Sequence, residues 1–181
     1  MGDSGSSRLM AAGTALAGKF QLDQLTPALI ADHTGLTREQ FQSQFGAVDV
    51  YLEQVHHQFM ERLLQALVAA AGSLPPGLER MSCATDTQLD YCLQHLTLRG
   101  LLADARRRVP RVAASFHKRT QTTALMIGIE LKSLGCANPQ VIARLYCVMT
   151  LEAAQVEADA GAPVPAARAA LADFLRNAMA A

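Results

Sequence analysis

Six polar side chains, Thr26, Thr37, Arg38, Gln40, Gln42 and Ser43, fall close together in the sequence and carry the chemistry of nucleic-acid contact. Arginine and glutamine can make paired hydrogen bonds to base edges, and hydroxyl and amide groups can bond phosphate oxygens. Such groups read a groove only if a rigid scaffold holds them on one surface. The residues between them describe that scaffold.

Thr26 is a good helix N-cap, and Pro27 occupies the first helical position, where its missing N–H costs nothing. The first helix of the pair is therefore expected to begin at about Pro27, with Leu29, Ile30 and His33 on one side. Gly35 stands where a left-handed residue would end it. Thr37 then caps a second helix. Gln40, three residues on, completes the pattern in which cap and third residue each satisfy the other's backbone donor. Phe41 and Phe45, four apart, give this helix a buried edge, while Arg38, Gln40, Gln42, Ser43 and Gln44 occupy its other faces. Two short helices across a tight glycine turn are the pattern of a helix-turn-helix. The plainer reading is a helical hairpin whose polar face meets water.

The match extends past the hairpin. Thr26, Ile30, Ala31, Gly35, Leu36, Thr37, Phe41, Phe45, Gly46, Asp49 and Leu52 stand in register, without a gap, with the pattern of one family. The segment resembles the DNA-binding domain of the TetR family of bacterial transcriptional regulators. Ser7 to Lys19 would be that family's first helix, with Leu9, Ala12, Leu16 and Phe20 as its apolar stripe. The resemblance implies a three-helix unit burying Leu16, Phe20, Ile30, Leu36, Phe41, Phe45 and Leu52 together.

Departures from the family pattern fall on the groove-facing positions. Ala28, Gln42, Gln44 and Val48 replace residues that are often basic or aromatic there, and Glu39 stands where a small residue is usual. Residues 1–50 hold Arg8, Lys19 and Arg38 against Asp3, Asp23, Asp32, Glu39 and Asp49, a net charge of −2. Phosphate neutralisation dominates non-specific DNA affinity. The hairpin is therefore expected to bind weakly by itself and to rely on pairing, with Thr26, Thr37, Gln42 and Ser43 acting as neutral donors.

With 181 residues, half of them apolar, the chain can build a sizeable core, and Lys and Arg balance Asp and Glu at 16 each. Alanine and leucine dominate, tryptophan is absent and β-branched residues do not alternate, so the expected fold is all-α. The opening MGDSGSS shows no periodic pattern and is expected to be unstructured. Cys83, Cys92, Cys136 and Cys147 lack ligand spacing and read as buried thiols in a reducing cytoplasm. No apolar run approaches the length needed to span a bilayer.

The expected organisation is a helix-turn-helix domain over residues 1–50 and a helical effector and dimerisation domain over residues 51–181. In the latter, the spacing predicts helices over 48–73, 78–98, 99–107, 110–133, 139–159 and 166–179, for nine in all. In the family an inducer sits among the middle helices. The resemblance then implies a lining drawn from Phe59, Met81, Cys92, His95, Phe116, His117 and Thr120. The family also dimerises through its last two helices, which here offer Ile142, Leu145, Tyr146 and Met149, then Leu171, Phe174 and Leu175, as the interface. Val141 and Val148 widen the first stripe beyond what one internal contact needs, but both stripes could also pack inside a single subunit.

Arg106, Arg107, Arg108 and Arg111, with Lys118 and Arg119, form the strongest basic cluster, far from the hairpin in sequence. It reads as a solvated face first, and as a site for an anionic ligand or partner second. His56 and His57 are adjacent and cannot form a metal pair with each other. No glycine-rich phosphate loop, G-x-S-x-G or H-E-x-x-H motif is present, so no enzyme, metal or cofactor is expected. The expected function is a cytoplasmic, homodimeric TetR-like repressor that binds operator DNA and is released by a small-molecule effector. The alternative is a relative that has lost DNA binding and acts through ligand or protein contacts.

Overall fold

The computed structural model describes the backbone of residues 3–180 and the side chains of residues 9–180. Nine α-helices form among the described residues: α1 (Asp3–Ala17), α2 (Pro27–Thr34), α3 (Arg38–Gln44), α4 (Val48–Ala71), α5 (Leu78–Gln94), α6 (Leu96–Arg108), α7 (Pro110–Ser133), α8 (Pro139–Ala160) and α9 (Pro165–Ala180). A single 3-10 turn, Leu22–Gln24, lies between α1 and α2. No described helix is long and apolar enough to cross a membrane. The opening is more regular than its composition suggests: α1 already includes Asp3 to Ser7, while Met1 and Gly2 lie outside the described residues.

The chain divides into two compact units. One runs to Arg62 and takes in His95–Phe116; the other comprises Leu63–Gln94 and the chain from His117 onward. The first unit is built on local signals. Thr26 Oγ1 accepts from the Leu29 amide at 3.2 Å, and Gly35, at φ 70°, ends α2 with its own amide and that of Leu36 both on the Ala31 carbonyl. The Thr37 amide donates to Gln40 Oε1 at 2.8 Å while the Gln40 amide donates to Thr37 Oγ1 at 3.2 Å, so the start of α3 is closed from both sides.

Below that surface, Leu16, Ile30, Phe41, Phe45 and Leu52 are buried, as the apolar spacing requires, whereas Phe20 and Leu36 are only half-buried. Phe20 instead meets His33 edge-on, with ring centroids 5.7 Å apart. Phe41, Phe45 and Tyr51 form an aromatic cluster that fastens α3 to the start of α4, Phe45 standing at 90° to Tyr51 with centroids 5.4 Å apart. Helix α6 completes the unit by packing on α1 and burying Leu98, Leu101, Leu102 and Ala105.

Gly13 lets α1 lie close to its neighbours, since a Cβ there would stand 3.0 Å from Val55 Cγ1 and 3.3 Å from Leu98 Cδ1. Gly13→Val is therefore expected to destabilise this unit by about 1–3 kcal/mol, the usual cost of overpacking. Urea unfolding followed by circular dichroism reads the change.

The second unit centres on α5, α8 and α9. Its core joins Met81, Leu89 and Cys92 to Leu131, Ala143, Tyr146, Ala153, Ala154, Leu171 and Leu175. At the α8–α9 turn, the fully buried Glu157 accepts from Arg168 Nε at 2.7 Å, from Arg168 Nη2 at 2.9 Å and from the Val164 amide at 3.0 Å. Arg168 reaches on to Asp90 at 2.7 Å, tying α9 to α5.

One boundary and two side-chain placements differ from the sequence reading. Helix α5 stops at Gln94 and a new helix begins at Leu96, the break falling at His95 (φ −121°, ψ 32°) with no glycine or proline to announce it. Asn138 occupies the N-cap of α8 without a side-chain bond, its carbonyl alone accepting from the Ile142 amide. Cys92, Cys136 and Cys147 are buried thiols as expected, but Cys83 is half-buried, its thiol donating to the Ala70 carbonyl.

Candidate nucleic-acid interface

Helices α2 and α3 meet at an open cleft of about 730 Å³ lined by Thr26, Pro27, Ala28, Arg38, Glu39, Gln42 and Ser43. Four of the six sequence candidates, Thr26, Arg38, Gln42 and Ser43, thus come together on one surface. Thr37 and Gln40 do not line it, because each satisfies the other's backbone donor in the cap of α3. They fix the start of α3 instead. Arg38, Gln42 and Ser43 are exposed, and the buried edge of the same helix, Phe41 and Phe45, fixes their direction.

Pro27, Ala28 and Glu39 complete the lining. Ala28, one of the departures from the family pattern, stands in that lining. Glu39 is the one acid in the lining. Its carboxyl lies below the usual carboxylate range, held there first by a backbone amide and then by the Thr37 hydroxyl. The group is ionised at neutral pH and places a negative charge in the cleft.

The other candidate sets are placed differently. Phe59, His95 and Phe116 belong to the first unit; Phe59 is buried and meets the His95 ring at 6.2 Å. Burial first, and the nearby Arg62 guanidinium second, lower the His95 pKa and favour its neutral form. Phe116 packs against His56 at 6.0 Å and carries the Arg106 guanidinium over its face at 4.3 Å. Met81 and Cys92 lie in the apolar core of the second unit. His117 is exposed beside Gln121, and Thr120 is half-buried.

The seven candidate subunit-interface residues differ in their burial within the chain. Tyr146, Leu171 and Leu175 are core residues, and Ile142, Met149 and Phe174 pack against that core, with Phe174 stacked on Tyr146 at 6.4 Å. They are turned inward because α8 packs on α5 and α9 of its own chain. Only Leu145 of the seven is exposed, at 49%, in a stripe with Val141, Val148 and Val156 along the outer face of α8. Among the described residues no group of three or more His, Cys, Asp or Glu comes together as a metal site.

No family model and no curated protein matches the sequence. The architecture does match solved structures. A protein described as a TetR-family transcriptional regulator from Rhodococcus sp. superposes with a TM-score of 0.81 over 97% of this chain and 98% of its own, at 14% identity. The fold is that of TetR regulators. A transcriptional regulator described from Pseudomonas aeruginosa PAO1 shares it, also with a TM-score of 0.81, over 97% of this chain and 90% of its own at 12% identity. The ketosteroid transcriptional regulator of Mycobacterium tuberculosis shares it at 0.61, over 99% and 95% of the two chains with 16% identity. At these identities the likeness is one of fold, and the TetR fold here carries its own set of side chains in the cleft.

Proposed function

We propose that this chain is a homodimeric transcriptional regulator, acting as a repressor, that binds operator DNA through the α2–α3 cleft and is released by a small-molecule effector. The observation that carries the reading is the convergence of Thr26, Arg38, Gln42 and Ser43 on one open recess of a helix-turn-helix whose caps and aromatic core hold it rigid. Arg38 and Gln42 read base edges; Thr26 and Ser43 bond phosphates. Residues 1–50 form the reading domain, with α6 as its support, and residues 51–181 carry effector binding and dimerisation.

Two-fold pairing places two clefts about one DNA turn apart on a near-palindromic site. The outer stripe of α8 supports pairing because four large aliphatic side chains stand in water there. The effector contacts we propose are Phe59, His95 and Phe116, an aromatic and neutral-imidazole group suited to an apolar molecule with a polar end. Helix α4 runs from the hairpin into the second unit and is the element whose movement would respace the clefts; a coupling of about 1–3 kcal/mol is usual for such switches.

Arg38→Ala with Gln42→Ala tests the reading. The double variant is expected to lose roughly 30-fold or more in affinity for the promoter upstream of its own coding sequence, following the 1–3 kcal/mol typical of each base contact. Its dimer and its melting temperature stay unchanged, because both side chains are exposed. The second reading, a regulator relative without DNA binding, is favoured by the ionised Glu39 in the cleft, and promoter affinity unaltered by the double substitution would select it.

A further inference from the structure

We propose that the arginine corner where α6 gives way to α7 is a second DNA surface, with Arg107 and Arg108 gripping the phosphate backbone beside the hairpin and supplying the cationic charge the hairpin lacks. The inference rests on the DNA-binding reading above and adds to it a surface outside the cleft.

The sequence separation between the hairpin and this cluster disappears on folding. His95–Phe116 belongs to the same compact unit as residues up to Arg62. That returning segment carries Arg99, Arg106, Arg107, Arg108 and Arg111 against Asp104 alone, and so changes the sign of a unit whose first fifty residues are net negative. A duplex approaching this unit therefore meets repulsion at the hairpin unless the corner also faces the phosphates.

Arg111 fixes where the corner stands. Its Nη1 lies 2.9 Å from Glu53 Oε2 and its Nε 3.5 Å from Asp49 Oδ2. Asp49 is in the first turn of α4, which follows α3 after only Phe45, Gly46 and Ala47. The corner is thus tethered beside the exit of the reading helix. Arg111 also offsets the two carboxylates on that face, which would otherwise repel a phosphate at the start of α4.

Arg107 and Arg108 are the free end of the cluster. Their side chains are 66% and 51% exposed, and both lean on the same Asp104 carboxylate, at 3.5 and 3.2 Å. Two guanidinium groups on one carboxylate leave a surplus positive charge, and exposed pairs of this kind are weak enough to exchange for phosphate. Arg106 is excluded from this role because its guanidinium lies over the Phe116 ring.

The test is fluorescence anisotropy of the full chain with a labelled mixed-sequence duplex, titrated across a salt series. Each phosphate contact contributes about 0.9 to the slope of log affinity against log salt. Arg107→Gln with Arg108→Gln is expected to flatten that slope by about two per subunit and to weaken low-salt binding at least tenfold. Lys132→Gln with Arg176→Gln, which removes as much charge from the second unit, leaves the slope unchanged. Equal slopes for the wild type and the Arg107/Arg108 variant would overturn the corner while leaving the DNA reading intact. Equal loss in the two variants would reduce it to overall charge. A wild-type protein that ignores duplex at low salt would overturn both proposals.

Discussion

Replacement of Arg168 by Met is expected to destabilise the protein by about 3–5 kcal/mol, the range for breaking a buried ion pair from one side. The substitution leaves the Glu157 carboxylate, fully buried, with only the Val164 amide for company. It also cuts the bond from α9 to Asp90 on α5. Mutating both partners differs in kind: Arg168→Met with Glu157→Leu removes the charge along with its counterion and is expected to recover most of the loss. Urea denaturation of the three proteins measures the pattern.

The pH dependence follows from the same contacts. The Arg168 guanidinium, and after it the Val164 amide, hold the Glu157 carboxyl below its ordinary value against the opposing effect of burial. A lowered folded-state pKa means that the ion pair stabilises the fold above the unfolded value of about 4.3 and that this contribution is lost as the pH falls further. In the Arg168→Met variant the desolvated acid has no cation, so that variant is expected to gain stability on mild acidification, whereas the contribution of the intact pair does not change over that range. Denaturation at pH 7 and pH 5 separates the two.

The second large effect is expected at the outer face of α8. Val141, Leu145, Val148 and Val156 are 58, 49, 62 and 41% exposed. Four large aliphatic side chains in one stripe of a helix mark a contact surface better than a solvated one. Leu145→Asp with Val148→Asp places two charges in that stripe and is expected to convert a dimer into a monomer, as read by light scattering. Because two half-sites bind far more tightly together than singly, operator affinity should fall by roughly 10² to 10⁴. The monomer should keep its helicity, since neither side chain contributes to the core. A wild-type monomer at micromolar concentration would contradict the dimer.

The outcome at α8 shows what periodicity conveys and what it leaves open. Val141, Ile142, Leu145, Tyr146, Val148 and Met149 span nearly half of the helix circumference, and spacing alone gives no reason to prefer one edge of that arc. The packing of α5 and α9 makes the choice, turning Tyr146 inward, where it meets the Thr85 hydroxyl, and Val148 outward. The excess width of the stripe was the legible clue; the direction was not. Met81 and Cys92 entered the core of the second unit for the same reason.

The hairpin was legible because its determinants are local. A threonine cap, a proline in the first turn, a glycine at positive φ and a threonine–glutamine box each act within four residues, and all four form as their types dictate. The break at His95 was hidden because neither proline nor glycine makes it. The arginine corner was hidden differently. Its composition was plain, but its neighbours Asp49 and Glu53 lie some sixty residues away in sequence, within reach only after folding.

The central claim is that an acidic helix-turn-helix reads DNA through a small set of neutral and singly charged side chains. The most direct measurement is anisotropy of the wild-type protein on the promoter upstream of its own coding sequence, compared with a scrambled duplex of equal length at low salt. The account predicts tighter binding to the promoter, with the difference abolished by Arg38→Ala and Gln42→Ala. No binding to either duplex, or equal affinity for both in the wild type, would contradict it.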